Sequence, residues 1–291
     1  MKTADKTYQG YIALILWSTA AAFIRSLSEL IGPFTAAFYV YLLGGLLTLI
    51  FSPRQGEQGA LARQLDRSTI LCGIMYILYV FATFYSIGIS QTRVMSLGVT
   101  VIKSLWPLFT LILSIPILHE KKKVSTWGLL FSLAGILVVV LGSSNGEALT
   151  PATFRIVDLF PFFIGLVSAV SWALYSNLLK KRTIDGKIIG LFMLISGLTM
   201  GLISLFVAEP SNWSLNVVLQ IIYRGVVTIF IANALWNQSV IKGDIQKVSI
   251  AANYLPIMSA LTSALILNVK LDFSLLIGGA LIVIGNIFHR K

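Results

Sequence analysis

Ten stretches of apolar sequence fill most of this chain, each close to the roughly 20 residues a helix needs to cross a hydrocarbon core. They run near 10–27, 33–51, 69–89, 94–117, 125–143, 158–179, 188–208, 216–240, 247–267 and 273–289. Only 11% of the 291 residues are charged, against about 25% in a soluble domain. So few charges cannot cover a water-facing surface, and the main solvent must be lipid. The expected fold is an all-α membrane protein of ten transmembrane helices with the bilayer as its chief partner. The longest linkers, near 52–68 and 144–157, carry turn chemistry in Pro53, Gly56, Gly59, Gly146 and Pro151.

The net charge of +11 would raise nucleic-acid binding in a soluble protein. Here cytoplasmic loops enriched in Lys and Arg explain it, and no nucleic-acid partner is expected. With the N-terminus inside, the outer loops hold three of the 22 basic residues: Arg93, Arg155 and Lys270. Arg25, Lys103 and Arg224 lie within or at the ends of spans, and the remaining 16 are inside. Both termini are therefore expected to be cytoplasmic, in a bacterial cytoplasmic (inner) membrane. Lys2 and Lys6 ahead of an apolar run, with Ala20-Ala21-Ala22 behind, mimic a cleaved signal. A counterpart in the second half makes this segment a retained one. The lone Cys72 excludes an internal disulfide and a cysteine metal cluster and reads as a packing residue.

That counterpart belongs to a repeat. Trp17 to Arg25 and Trp172 to Lys180 each open on Trp and close on a basic residue at the same distance. Leu105-Trp106-Pro107-Leu108 is matched by Tyr254-Leu255-Pro256-Ile257, with a proline about midway along the fourth and the ninth span. Each half, 1–146 and 147–291, then holds five helices. Five is odd, so the second half enters from the opposite side. The chain is read as a 5+5 inverted-topology repeat, an arrangement used by secondary transporters with their site near the bilayer midplane.

Mid-span residues that lipid does not favour mark the candidate site. Pro107 and Pro256 are expected in helix interiors as hinges. Trp17, Trp106, Trp172 and Trp236 lie inside spans, where an indole N–H needs an acceptor; Trp127 and Trp213 sit near span ends as interfacial residues. Helical spacing gathers Lys103 with Trp106, Trp172 with Tyr175, and Asn233 with Trp236 and Asn237. Tyr79, Asn177, Asn253 and Tyr254 add donors and acceptors at depth. Lys103 is suited to a substrate carboxylate, with snorkelling toward the outer face as its alternative. Arg25 and Arg224 are nearer span ends and are read as snorkelling.

No Asp or Glu falls mid-span, and His119 and His289 are at cytoplasmic ends. Proton coupling through an intramembrane carboxylate has no support, and no phosphate-binding loop is present. An enzyme would need a nucleophile–base pair or metal ligands in the spans; a scaffold or sensor would need an effector domain or long tail. Neither is found, so the chain is not expected to be an enzyme, and no cofactor, metal or catalytic residue is expected. Gly197 and Gly201 form a close-packing GxxxG pair, assigned to internal contacts; the chain is expected to be a monomer.

Several stretches together resemble a known family: Leu16-Trp17-Ser18-Thr19 with Ile24-Arg25, Ser28-Glu29 and Gly32-Pro33; Leu105-Trp106-Pro107; Trp172-Ala173 with Tyr175; and Leu235-Trp236-Asn237 followed by Gly243. The chain is similar to the drug/metabolite transporter superfamily in its EamA-type branch, and within it to the bacterial aromatic amino acid exporters. The resemblance implies a basket-like fold with a central cavity and export of aromatic and other bulky neutral amino acids. It also implies a cavity lined by Trp17, Trp106, Trp172 and Tyr79. The departure is Lys103, where a neutral polar residue such as Asn is expected. It disfavours a cationic amino acid and favours an acidic or carboxylate-dependent one. Another small amphipathic metabolite or drug is the alternative substrate.

Overall fold

A computed structural model describes residues 5–52, 66–119, 125–142, 156–182, 184–243, 245–252, 254–269 and 273–288. Among them every regular element is helical. The first half comprises α1 (Thr7–Ser18), α2 (Ala20–Ile31), α3 (Pro33–Phe51), α4 (Arg67–Gly88), α5 (Arg93–Lys103), α6 (Trp106–Leu118) and α7 (Thr126–Gly142). The second opens with a 3₁₀ turn (Ile156–Leu159) and continues with α8 (Phe160–Arg182), α9 (Gly186–Ser204) and α10 (Leu215–Tyr223). A π-helical stretch (Arg224–Ile231) leads into α11 (Ala232–Lys242), followed by α12 (Ile245–Ala252), α13 (Leu255–Leu267) and α14 (Phe273–Phe288).

Among the described residues, seven helices are long and apolar enough to cross a membrane: Thr7–Ile31, Pro33–Phe51, Arg67–Gly88, Arg93–Leu118, Val157–Arg182, Gly186–Ser204 and Leu215–Val240. Three shorter apolar helices, Thr126–Val139, Leu255–Leu267 and Phe273–Gly285, fall where the fifth, ninth and tenth stretches were read. The protein is thus a multi-pass membrane protein. Most of both long linkers, and Asn253, lie outside the described residues.

The proline reading needs correction. Pro107 and Pro256 are each the second residue of a half-helix, α6 and α13, and the break comes just before them. In a first helical turn the missing N–H has no intrahelical partner to lose, so proline fits there without strain. The chain tightens into each break in the same way. Leu105 N–H donates to Ile102 O at 3.0 Å, and Tyr254 N–H to Ala251 O at 3.0 Å. Each new helix then starts alike, Phe109 N–H on Leu105 O and Met258 N–H on Tyr254 O. The two half-helices also end alike, on His119 (φ 56°) and Asn268 (φ 51°) in the left-handed region. All these pairs share one sequence offset.

Packing follows the same correspondence. Helix α3 lies along α9, and α7 along α14; α4 on α8 is matched by α11 on α1, and α6 on α8 by α13 on α1. The α7–α14 contact is reciprocal. A Cβ on Gly135 would lie 2.6 Å from the Gly278 carbonyl oxygen, and one on Gly285 2.6 Å from that of Gly128. Gly197 and Gly201 do meet the same chain, at Leu42 and Phe38 of α3.

Charged groups near helix ends tie the bundle together. Glu29 receives Arg25 Nε at 2.7 Å and Arg93 Nη2 at 2.7 Å. Arg25 Nη1 also donates to the carbonyls of Ile87 and Ser90, at 3.0 and 2.6 Å, and Arg93 Nη1 to Leu267 O at 2.9 Å. Arg25 does not snorkel, then; it is buried against carbonyls at the end of α4, where a cation is favoured. Glu209 caps α3 from a distance, accepting from Phe34 and Thr35 N–H at 2.8 Å each.

The α7–α14 contact supplies a prediction. Gly278→Ala places a methyl 2.8 Å from Gly135 O and 2.4 Å from a Val139 methyl. The expected loss is about 1–3 kcal/mol, read as a lower thermal unfolding midpoint in detergent. An unchanged midpoint would show that this contact does not hold the helices.

Candidate functional site

Four indoles form a closed ring at the centre of the molecule. Trp17 meets Trp172 edge-on at 5.6 Å between centroids and Trp236 at 5.3 Å, while Trp106 meets Trp172 at 6.4 Å and Trp236 at 5.5 Å. They come from α1, α6, α8 and α11, two from each half. Tyr79 lies tilted against Trp172 at 4.6 Å, and Trp172 also meets Tyr175 at 5.1 Å. Tilted and edge-on geometries are those in which ring quadrupoles attract.

Beside this ring lies a partly open cavity. Trp17, Tyr79, Lys103, Trp106, Trp172 and Asn233 line it, so six of the candidate residues are brought together. Trp236 and Tyr175 are buried one layer behind, against rings that face the cavity. Asn237 is partly buried but off the wall. Tyr254 is half exposed, away from the site; the break before α13 turns Leu255 and Ser259 inward instead. Asn177 serves structure, donating to Thr110 O of α6 and Ala173 O, both at 3.0 Å.

Three backbone irregularities shape the cavity. The first span breaks at Thr19, and the exposed Ser18 carbonyl is taken by the Thr262 hydroxyl of α13 at 2.6 Å. The break after Lys103 is the second. It leaves Lys103 at the C-terminus of α5, where carbonyl dipoles favour a cation. Its ammonium sits 5.5 Å from the Tyr79 ring centroid.

The π-helical stretch is the third. Residues nine apart are about two and a half turns apart in an α-helix, hence on opposite faces. Wider π turns, bonding i to i+5, swing Arg224 and Asn233 onto one wall. Side chains satisfy the displaced carbonyls: Trp17 Nε1 donates to Thr228 O at 2.9 Å, and Asn233 Nδ2 to Ile229 O at 2.7 Å. Arg224 is 3% exposed, donates to the Thr228 hydroxyl at 2.7 Å and lies 5.9 Å from the Phe84 ring. Its snorkelling reading is therefore wrong, and α-helical spacing had no way to place it here. Tyr76, which also lines the wall, sits three residues before Tyr79, a spacing that marks both for one face.

An all-helical membrane protein with an aromatic and polar cavity between its helices has the form of a solute carrier, and sequence comparison agrees. The chain belongs to the EamA-like transporter family of the drug/metabolite transporter superfamily, whose model matches residues 8–141 and again 159–289. It is 30% identical to the aromatic amino acid exporter YddG of Escherichia coli (strain K12), across 98% of this chain and 96% of that one. It is 28% identical to the exporter of the same name from Salmonella typhimurium, across 99% and 97%. An uncharacterized transporter of Archaeoglobus fulgidus is 23% identical across 94% and 93%. One crystal structure superposes with a TM-score of 0.69 at 22% identity, covering 98% of this chain and 96% of that one, a likeness of fold alone.

The indole ring makes a graded prediction. Trp17→Phe removes one hydrogen bond, about 1 kcal/mol net, and keeps ring packing; Trp17→Ala removes both, about 3–5 kcal/mol. Thermal unfolding in detergent should separate the two variants clearly. Equal effects would mean that the ring contributes no packing at this position.

Proposed function

We propose that this protein exports amino acids, aromatic and bulky neutral ones among them, by alternating access. Ten crossings form a 5+5 inverted repeat, 1–146 and 147–291, with both termini in the cytoplasm of a bacterial cell and the chain in its cytoplasmic membrane. The breaks before Pro107 and Pro256 act as paired hinges, so that each half-helix swings while its partner stays. Among the described residues no carboxylate lines the cavity to carry a proton, and the solute's own gradient drives flux.

The observation that carries this reading is the cavity itself. Four indoles, two from each half, stand beside Lys103 and Asn233 at one cavity. Rings hold an apolar side chain; Lys103 takes the carboxylate. Naming two relatives as aromatic amino acid exporters supports the same substrate class. A second reading, export of another amphipathic metabolite, draws on Lys103 and Arg224 facing one cavity.

In proteoliposomes, labelled phenylalanine or tryptophan should move down its gradient and show counterflow. Trp172→Ala and Lys103→Ala should each cut the initial rate severalfold while the protein remains folded. No movement of any amino acid by folded protein would refute the assignment.

A further inference from the structure

Among the described residues, two basic side chains and no carboxylate line the cavity. Lys103 and Arg224 both line it, from α5 and from the π-helical stretch. Lys103 has a neutral ring beside its ammonium. Arg224 spends one nitrogen on Thr228, and its buried Nε has no hydrogen-bond partner. The described carboxylates are engaged elsewhere. Glu29 bridges Arg25 and Arg93, Glu209 caps α3, and Asp66 pairs with Arg182 at 2.5 Å. Asp185 and Asp5 accept from the backbone of Lys187 and Thr7, and Asp158 accepts from Gln91. None of them lines the cavity.

Two like charges in one low-dielectric pocket repel, and each has lost hydration that neutral neighbours do not replace. The fold tolerates this through ring contacts and the end of α5, which are weaker partners than an anion. A solute with two anionic groups neutralises both sites at once. A zwitterion neutralises one and brings an ammonium toward the other. Arg presents a planar fork matched to a carboxylate, whereas Lys offers a compact point charge, so the two sites suit two separate acid groups flanking an apolar body.

We propose that the cavity selects solutes of net negative charge, best of all an aromatic or apolar body carrying two acid groups, over zwitterions of the same shape. This rests on the transport reading and develops its second substrate class, ranking neutral amino acids below diacids of the same shape.

Four probes share one aromatic skeleton and step in charge: 2-phenylethylamine (positive), phenylalanine (neutral), 3-phenylpropionate (one negative) and benzylmalonate (two negative). Each is measured against the full-length protein in nanodiscs by thermal stabilisation and in proteoliposomes by counterflow, in gluconate buffer with and without chloride. Benzylmalonate should bind on the order of tenfold tighter than phenylalanine, and 2-phenylethylamine weakest. Arg224→Gln or Lys103→Gln should erase the advantage of the second acid group, and Arg224→Lys should keep most of it. The lysine variant carries the test should Arg224→Gln fail to fold. Tighter binding of phenylalanine or of the amine would overturn the charge inference and leave transport standing. Chloride alone abolishing the preference would make the pair a halide site and overturn it too. No probe bound or carried by folded protein would take down both readings.

Discussion

Inside a bilayer, a carbonyl or amide that leaves its helix has no water to turn to, and the centre of this protein is arranged around that constraint. Three interruptions, at Thr19, after Lys103 and along Arg224–Ile231, meet at one cavity. Side chains satisfy the carbonyls at two of them. Thr262 reaches Ser18 O, while Trp17 and Asn233 take the carbonyls of Thr228 and Ile229. Two of these groups, Trp17 and Asn233, are also part of the wall that a solute would touch. Trp17 is the clearest case, one face in the indole ring, its N–H on the π-helical stretch, and its edge at the cavity.

This sharing has a consequence for function. A site built on continuous helices resists movement, because every backbone bond lies along its own rod. Half-helices with Pro107 and Pro256 as their second residues have no hydrogen bond across the proline nitrogen to break, which is what the proposed swing requires. Around them the cross-half pairings, α3 with α9 and α7 with α14, are close contacts at glycine and form the scaffold against which a hinge works. At one end, Glu29 with Arg25 and Arg93 joins the second helix of the first span to the ends of α4 and α13.

Much of this was legible in the sequence, and the reasons are physical. Span positions follow from the length of apolar runs, which lipid enforces. The indoles and Lys103 stood out because each is costly in hydrocarbon. Prolines marked the breaks but not their exact side, since an interior kink and a first-turn proline look the same without coordinates. Arg224 was misplaced because spacing rules assume 3.6 residues per turn, and the π-helical stretch does not obey them. Tyr254 was expected to add a polar group at membrane depth, yet the chain's turn before α13 sends it outward and brings Leu255 in. Arg25 was read by distance from a span end, with no way to see the carbonyls of Ile87 and Ser90.

Access to the cavity from both membrane faces is the central claim, and thiol labelling tests it most directly. In a Cys72→Ala background, Ser259→Cys places a thiol on the cavity wall and Leu265→Cys places one on the outward surface of the same helix. A membrane-impermeant thiol reagent should modify Ser259→Cys when added from either side, more slowly with solute present, and leave Leu265→Cys in lipid untouched. A Ser259→Cys thiol that never reacts from either side, or that reacts from one side alone whatever the solute, would contradict a cavity that opens alternately.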